Sequence, residues 1–252
     1  MPNGAVPNYL ALADLLETSI ATMKGGDRLP SENELATLHG VSRVTTRAAL
    51  QELERRHLVR RSKGSGTFVA LRLVFTIRPD LPPSWSQTVR RAGGEPAVKS
   101  VDAVLTQPDP ETRERLELGP RDKVVRLRRI GLVNGLVANT ALTCLPADLA
   151  PGFRDLLATG GSLNTILTSL GYHPQREWTR VDMQVPSEEI AADLELEGRP
   201  RVWGLTSLVV DGRDGRPLEF GRGWHRPDVF DMRMEYQSKR RTQRAGAPEA
   251  RS

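Results

Sequence analysis

Arginine carries most of the chemistry this sequence can offer. Arg43 and Arg47 stand four residues apart, which on a helix stacks one guanidinium above the other and lets both reach into the same space. A guanidinium can bond O6 and N7 of guanine together, or grip a carboxylate or phosphate with two parallel bonds. Farther along, Arg126 and Arg128 alternate by two, so on a strand they leave one face as a second pair suited to an anion. Ser162 opens an apolar periodic stretch, where a capped helix start offers free N–H groups to a phosphate or carboxylate. Two plainer readings stay open: a solvated basic face for the first pair, and structural ion pairs with Glu219 or Asp228 for the second.

Other chemistries find little support. The single cysteine, Cys144, excludes an intramolecular disulfide and a multi-cysteine zinc site. Its apolar neighbours mark it as a small buried side chain. His39, His57, His173 and His225 are scattered without ligand-like spacing. No metal or other cofactor is expected.

The chain has 252 residues, enough for two ordinary domains, with 38% hydrophobic and 27% charged residues. That balance excludes a disordered polyelectrolyte, and no apolar run is long enough to span a membrane. Residues 1–7 lack a basic region followed by an apolar one, so a cytoplasmic location without a membrane association is expected. The net charge of +5 is unevenly spread: Arg43, Arg47, Arg55, Arg56, Arg60, Arg61 and Lys63 crowd one segment that locally holds only Glu52 and Glu54 against them. Such a basic stretch favours nucleic acid.

The elements that position the first arginine pair are legible. Leu12, Leu15, Leu16, Ile20 and Met23 recur at helical spacing until Gly25-Gly26 stops them. Ser31 and Glu34 form a capping box that opens a short second helix ending near Gly40. Ser42 then caps a third helix whose buried stripe is Thr46, Ala49, Leu50 and Leu53, leaving Arg43 and Arg47 on another face. Leu58 to Arg61 and Thr67 to Val69 read as two short strands joined by a basic, glycine-rich turn. In that wing Gly64 and Gly66 permit close approach to a sugar-phosphate edge, and Lys63 supplies charge to phosphate.

The rest of the chain mixes strands and helices. Leu71, Leu73, Phe75 and Ile77 alternate in an extended stretch, and Pro79, Pro82 and Pro83 follow; this region is expected to be a linker. Helices are predicted near Trp85 to Arg91, after Asp109-Pro110, from Ser162 to Leu170 and after Pro186-Ser187. Strands are predicted over Val98 to Leu105 and Trp178 to Val185, with hairpins around Asn134-Gly135 and around Asp211 to Gly215. An antiparallel sheet carrying helices, an α+β domain, follows from this order. The expected division is 1–70, a linker over 71–84, a second domain over 85–238, and a disordered basic tail over 239–252.

The segments Arg28 to Leu35, Val41 to Leu50 and Gly64 to Val69 closely resemble the winged helix-turn-helix of the GntR family of bacterial transcription regulators. The resemblance implies DNA contacts by Ser31, Glu32, Ser42, Arg43, Thr45, Thr46 and Arg47 and, in the wing, by Lys63, Gly64, Ser65 and Gly66. Asn33 stands where some members carry a further DNA-contacting Arg. Three later places, Val125 to Arg128, Gly161 to Asn164, and Pro217 to Phe220 leading to Asp228, resemble the UTRA domain of the HutC subfamily, whose fold is like chorismate lyase. That likeness implies an effector site at Arg126, Arg128, Ser162, Asn164, Glu219 and Arg226. The region from Pro82 to Arg90 looks closer to regulators of phosphonate or phosphate uptake than to amino-sugar ones.

The resulting expectation is a homodimeric repressor of a palindromic double-stranded operator, controlled by a small phosphorylated, phosphonate, phosphate or carboxylate effector. A lyase-like enzyme on the C-terminal fold, tethered to DNA, is an alternative, because Glu219, Arg126 and Arg128 could polarise a carboxylate substrate. A nonspecific DNA binder is another, marked by steep salt dependence without base preference.

Overall fold

The structure, a computed structural model, describes residues 8–62, 64–149, 162–197 and 199–236. Lys63 and the tail over 239–252 therefore lie outside the described residues.

Helix α1 (Asn8–Ile20) lays Leu12, Ala13, Leu16 and Ile20 on the first core. Helix α2 (Glu32–His39) starts at the predicted capping box and ends at Gly40, whose left-handed φ of 63° turns the chain tightly. Helix α3 (Arg43–Arg55) starts at Ser42 and buries Thr46, Ala49, Leu50 and Leu53 against α1. Strands β1 (Val59–Ser62) and β2 (Gly66–Val69) form the antiparallel wing, with Val59 opposite Val69 and Ser62 opposite Gly66. Burying leucine-sized side chains, worth about 1.5 to 3 kcal/mol each, is what holds so small a unit together.

Next come β3 (Leu73–Ile77), α4 (Trp85–Arg91), β4 (Pro96–Thr106) and α5 (Pro110–Arg115). They are followed by β5 (Val124–Val133), β6 (Leu136–Pro146), α6 (Leu163–Ser169), β7 (Pro174–Gln184) and α7 (Glu188–Asp193). Strands β8 (Val202–Asp211), β9 (Pro217–His225) and β10 (Phe230–Met234) close the described chain. Six strands make an antiparallel sheet in the order β4-β5-β6-β9-β8-β7. This is the α+β arrangement that the order of elements implies.

Both faces of the sheet are covered. On one, Val125, Leu127 and Leu145 pack with Leu163, Ile166 and Leu167 of α6, while Val133 packs with Val89 of α4 and with Phe75 and Phe230. On the other, Val137 and Val202 pack with Ile190 and Leu194 around α7, and Val124 and Phe220 pack with Leu116 after α5.

The expected linker is not a free span. Strand β3 pairs in parallel with β10, Leu73 opposite Phe230 through Ile77 opposite Met234. Before it, Leu71 N–H donates to the Asp228 carbonyl at 3.0 Å. Strand β10 has no counterpart in the sequence reading, and β7 begins four residues earlier than predicted.

Candidate functional site

The N-terminal surface is built by its caps. Ser42 accepts the Thr45 N–H at 3.0 Å, and the two hydroxyls lie 2.8 Å apart. This pairing fixes the first turn of α3, from which Arg43 and Arg47 emerge exposed. Thr46, expected at the DNA, is instead fully buried, and its hydroxyl donates to the Ser42 carbonyl at 3.2 Å. Its helical position in the core stripe keeps it from any outside partner.

Charge on this surface is more ordered than the local sequence suggests. Arg56 is bound by Asp14, Glu17 and Glu52 and so ties α1 and α3 together, while Arg55 pairs with Glu52 within α3. The two arginines draw the Glu52 carboxyl down to about 2. Arg60 lies over the Phe68 ring, 5.3 Å from its centre. Glu32 of α2 bonds both Arg47, at 3.0 Å, and Arg61 of the wing, at 2.8 Å. The bond from Arg47 holds the Glu32 carboxyl below its usual range against the opposing effect of burial. Glu32 thus organises two arginines of this surface. Arg43 makes no hydrogen bond or ion pair among the described residues, but its charge helps hold the Glu32 carboxyl down. Gly64 and Gly66 have φ of +75° and +115°, a backbone that other residues rarely adopt, so the wing tip needs glycine there.

A second site lies between the sheet and its α4/α6 side, in a cavity of about 130 Å³. Ala141, Thr143, Gly221, Gly223 and Ser207 line its floor, small residues that leave room above the sheet. Arg129 of β5, Arg176 of β7 and Glu219 of β9 surround that floor. The Nε of Arg129 and that of Arg176 are buried without a hydrogen-bond partner. Both guanidiniums act on Glu219 only through the field. Burial pushes the Glu219 carboxyl up, and the two arginines oppose that push. Asn139 Oδ1, Trp85 Nε1 and His225 Nδ1 are likewise buried and unpaired around the cavity. Burial lowers the His225 imidazole to about 3, so it is neutral. An unpaired buried polar group costs about 1 to 3 kcal/mol, more if charged. Several such groups meet at this one cavity, which makes it the candidate ligand site.

Of the residues expected at an effector, Ser162, Asn164 and Glu219 line this cavity. Ser162 makes no side-chain cap bond; its hydroxyl instead lies 3.0 Å from that of Ser84, the N-cap of α4. The other three lie elsewhere. Arg126 and Arg128 leave the opposite face of β5, where Arg126 is exposed and Arg128 is held by Glu189 and Asp193 of α7. Arg226 is buried in a bidentate pair with Asp228 and donates to the Leu194 carbonyl at 3.1 Å, which braces the turn before β10. Arg129 and Arg176 were missed. The signal for Arg129 was present, since Val125 and Leu127 alternate with it on the apolar face of β5.

Residues 8–69 match the bacterial regulatory proteins of the gntR family, and residues 91–231, more than half of the chain, match the UTRA domain. The chain belongs to the GntR family. Among relatives of this GntR regulator is the mannosyl-D-glycerate transport/metabolism system repressor MngR of Escherichia coli K12. It is 44% identical over 242 residues, spanning 94% of this chain and 98% of that one. The HTH-type transcriptional regulator GgaR of the same strain is 27% identical over 226 residues, 89% of each chain. The crystal structure of PhnF from Mycobacterium smegmatis shares the fold, with a TM-score of 0.63 and 24% identity over 90% of this chain and all of that one. The matched domains and these relatives are those of transcription regulators and not of enzymes. A GntR regulator binds DNA. No helix among the described residues is long and apolar enough to cross a membrane.

Proposed function

We propose that this GntR-family regulator is a repressor that binds a palindromic operator as a homodimer and releases it when a small anion fills the sheet pocket. The observation that carries the reading is the pair of arginines, Arg129 and Arg176, whose Nε atoms are buried without a hydrogen-bond partner beside a cavity that Phe75 of β3 also lines. Strand β3 follows the wing after three residues, so a ligand touching Phe75 touches the chain that leads to the DNA-binding unit. Phe75 packs on His225 and Phe230, with ring centres 5.4 and 5.3 Å away. An anion can shift the balance between operator-binding and released arrangements only through different affinity for the two. Wall residues shared with β3 supply a physical route to that difference.

A repressing sense is supported by the likeness to MngR, a repressor by name, over almost the whole chain. A dimer places two recognition helices in successive major grooves about 34 Å apart, which demands a palindromic site. On the DNA side, Arg43 and Arg47 would read bases, while Ser42, Thr45 and the Gly64 to Gly66 wing tip would follow the backbone.

The test is fluorescence anisotropy of an operator duplex obtained by selection, titrated with phosphorylated and carboxylated metabolites. Release by at least one anion is expected, with Arg129→Gln raising the required concentration more than tenfold. Operator binding indifferent to every anion contradicts the proposal.

A further inference from the structure

The charges and hydrogen-bonding groups around the pocket bear on which anion it takes. Among the described residues, its lining holds Arg129, Arg176 and Arg222 as cations and Glu219 as the one carboxylate. Arg222 is already neutralised by Glu111 of α5. His225 is neutral. With Glu219 ionised, the form its two arginine neighbours favour, two guanidiniums face one carboxylate and leave a surplus of one positive charge. A single negative charge balances it. A phosphate monoester, carrying about −1.5 to −2 near neutral pH, leaves an uncompensated buried negative charge beside Glu219.

The acceptors around the cavity narrow the class further. Glu219 and the unpaired Asn139 Oδ1 accept only, so the ligand must bring hydroxyl donors. The indole N–H of Trp85 is an unpaired donor and needs an acceptor. For scale, an apolar cavity of about 150 Å³ holds benzene, so this one, of about 130 Å³ and open at its mouth, takes a ligand of about that size. We infer that the pocket selects a small hydroxylated monocarboxylate, of the sugar-acid kind, over a phosphate monoester of similar size. This rests on the reading of the cavity as the effector site.

Three probes of similar size and different charge test it: D-glycerate, 2-hydroxyethyl phosphate and glycerol, each titrated calorimetrically into the full chain at pH 7.5. D-Glycerate should bind the native chain at least tenfold more tightly than either of the others. Glu219→Gln, which adds a net positive charge, should move the phosphate-to-carboxylate affinity ratio at least tenfold toward phosphate. Arg176→Gln, which removes one, should move the carboxylate-to-glycerol ratio toward glycerol. Circular dichroism of each variant controls for folding. Tighter binding of the phosphate by the native chain, or an unmoved ratio in a folded Glu219→Gln chain, overturns the charge-balance assignment and leaves the pocket intact as the site. D-Glycerate binding that is equal in the native chain and in Arg129→Gln removes the ligand from this pocket altogether. No binding by any of the three overturns the monocarboxylate assignment.

Discussion

The Glu32 carboxylate accepts a hydrogen bond from Arg47 at 3.0 Å and so ties the start of α2 to the recognition helix. In this pairing Arg47 spends Nε and one Nη2 hydrogen on Glu32, which leaves its remaining donors for a base. Glu32→Ala should therefore free Arg47 and Arg61 together. Affinity for random DNA should rise as a negative charge leaves the surface, while the ratio of operator to random affinity falls about tenfold. Glu32→Asp should restore part of that ratio. Anisotropy titrations on both duplexes read the two effects separately, and an unchanged ratio in Glu32→Ala would show that Glu32 does not position Arg47.

Arg43 and Arg47 should differ from the wing lysine. Arg43→Ala or Arg47→Ala should cost roughly 1 to 3 kcal/mol on operator DNA and relax base preference at one position per half-site, whereas Lys63→Ala should weaken all sequences alike. Equal losses on random DNA for all three would contradict base reading by this helix.

Adjacent arginines on β5 should behave in opposite ways. Removing Arg128 leaves Asp193, which is 10% exposed, without its cation; Arg128→Ala should lower unfolding free energy by about 3 kcal/mol. Arg129 buries an Nε without a hydrogen-bond partner, so Arg129→Met should cost the ligand-free chain little stability while abolishing ligand binding. Urea denaturation with and without a bound anion distinguishes the two roles. A stability loss in Arg129→Met as large as in Arg128→Ala would show that Arg129 is structural.

His225 sets an acid limit on stability. Its folded pKa of about 3 lies below the ordinary 6.5, so between these values the unfolded chain binds the extra proton. Stability should be complete above about pH 6.5 and fall as pH drops toward 3, by up to about 1.4 kcal/mol per pH unit from this group. The slope of unfolding free energy against pH should flatten in His225→Gln. An unaltered slope would place the titration elsewhere.

The winged helix was legible because its signals are local: caps at Ser31 and Ser42, one apolar stripe per helix, and glycines at a wing tip that needs positive φ. The hairpins β5-β6 and β8-β9 were legible for the same reason. Strand β10 was not, since its only sheet partner among the described residues is β3, more than 150 residues earlier and parallel to it. Nothing in five residues announces such a partner. Choosing among Arg126, Arg128 and Arg129 required knowing which face of β5 lines the cavity, and a shift of one residue exchanges the faces. With helices on both faces, apolar residues fall on each, as Leu127 and Ile130 show, so alternation alone did not mark the pocket side. Arg176 sits in a strand of mostly polar residues, where its burial depends on the helix-covered cavity and leaves no trace in spacing.

The most direct measurement is selection of bound fragments from a random duplex library at physiological salt, by the native chain and by the Arg43→Ala, Arg47→Ala double variant. The account predicts a palindromic consensus, with half-sites about one helical turn apart, that the double variant no longer enriches. The same consensus from both proteins, or no enrichment by the native chain, would contradict it.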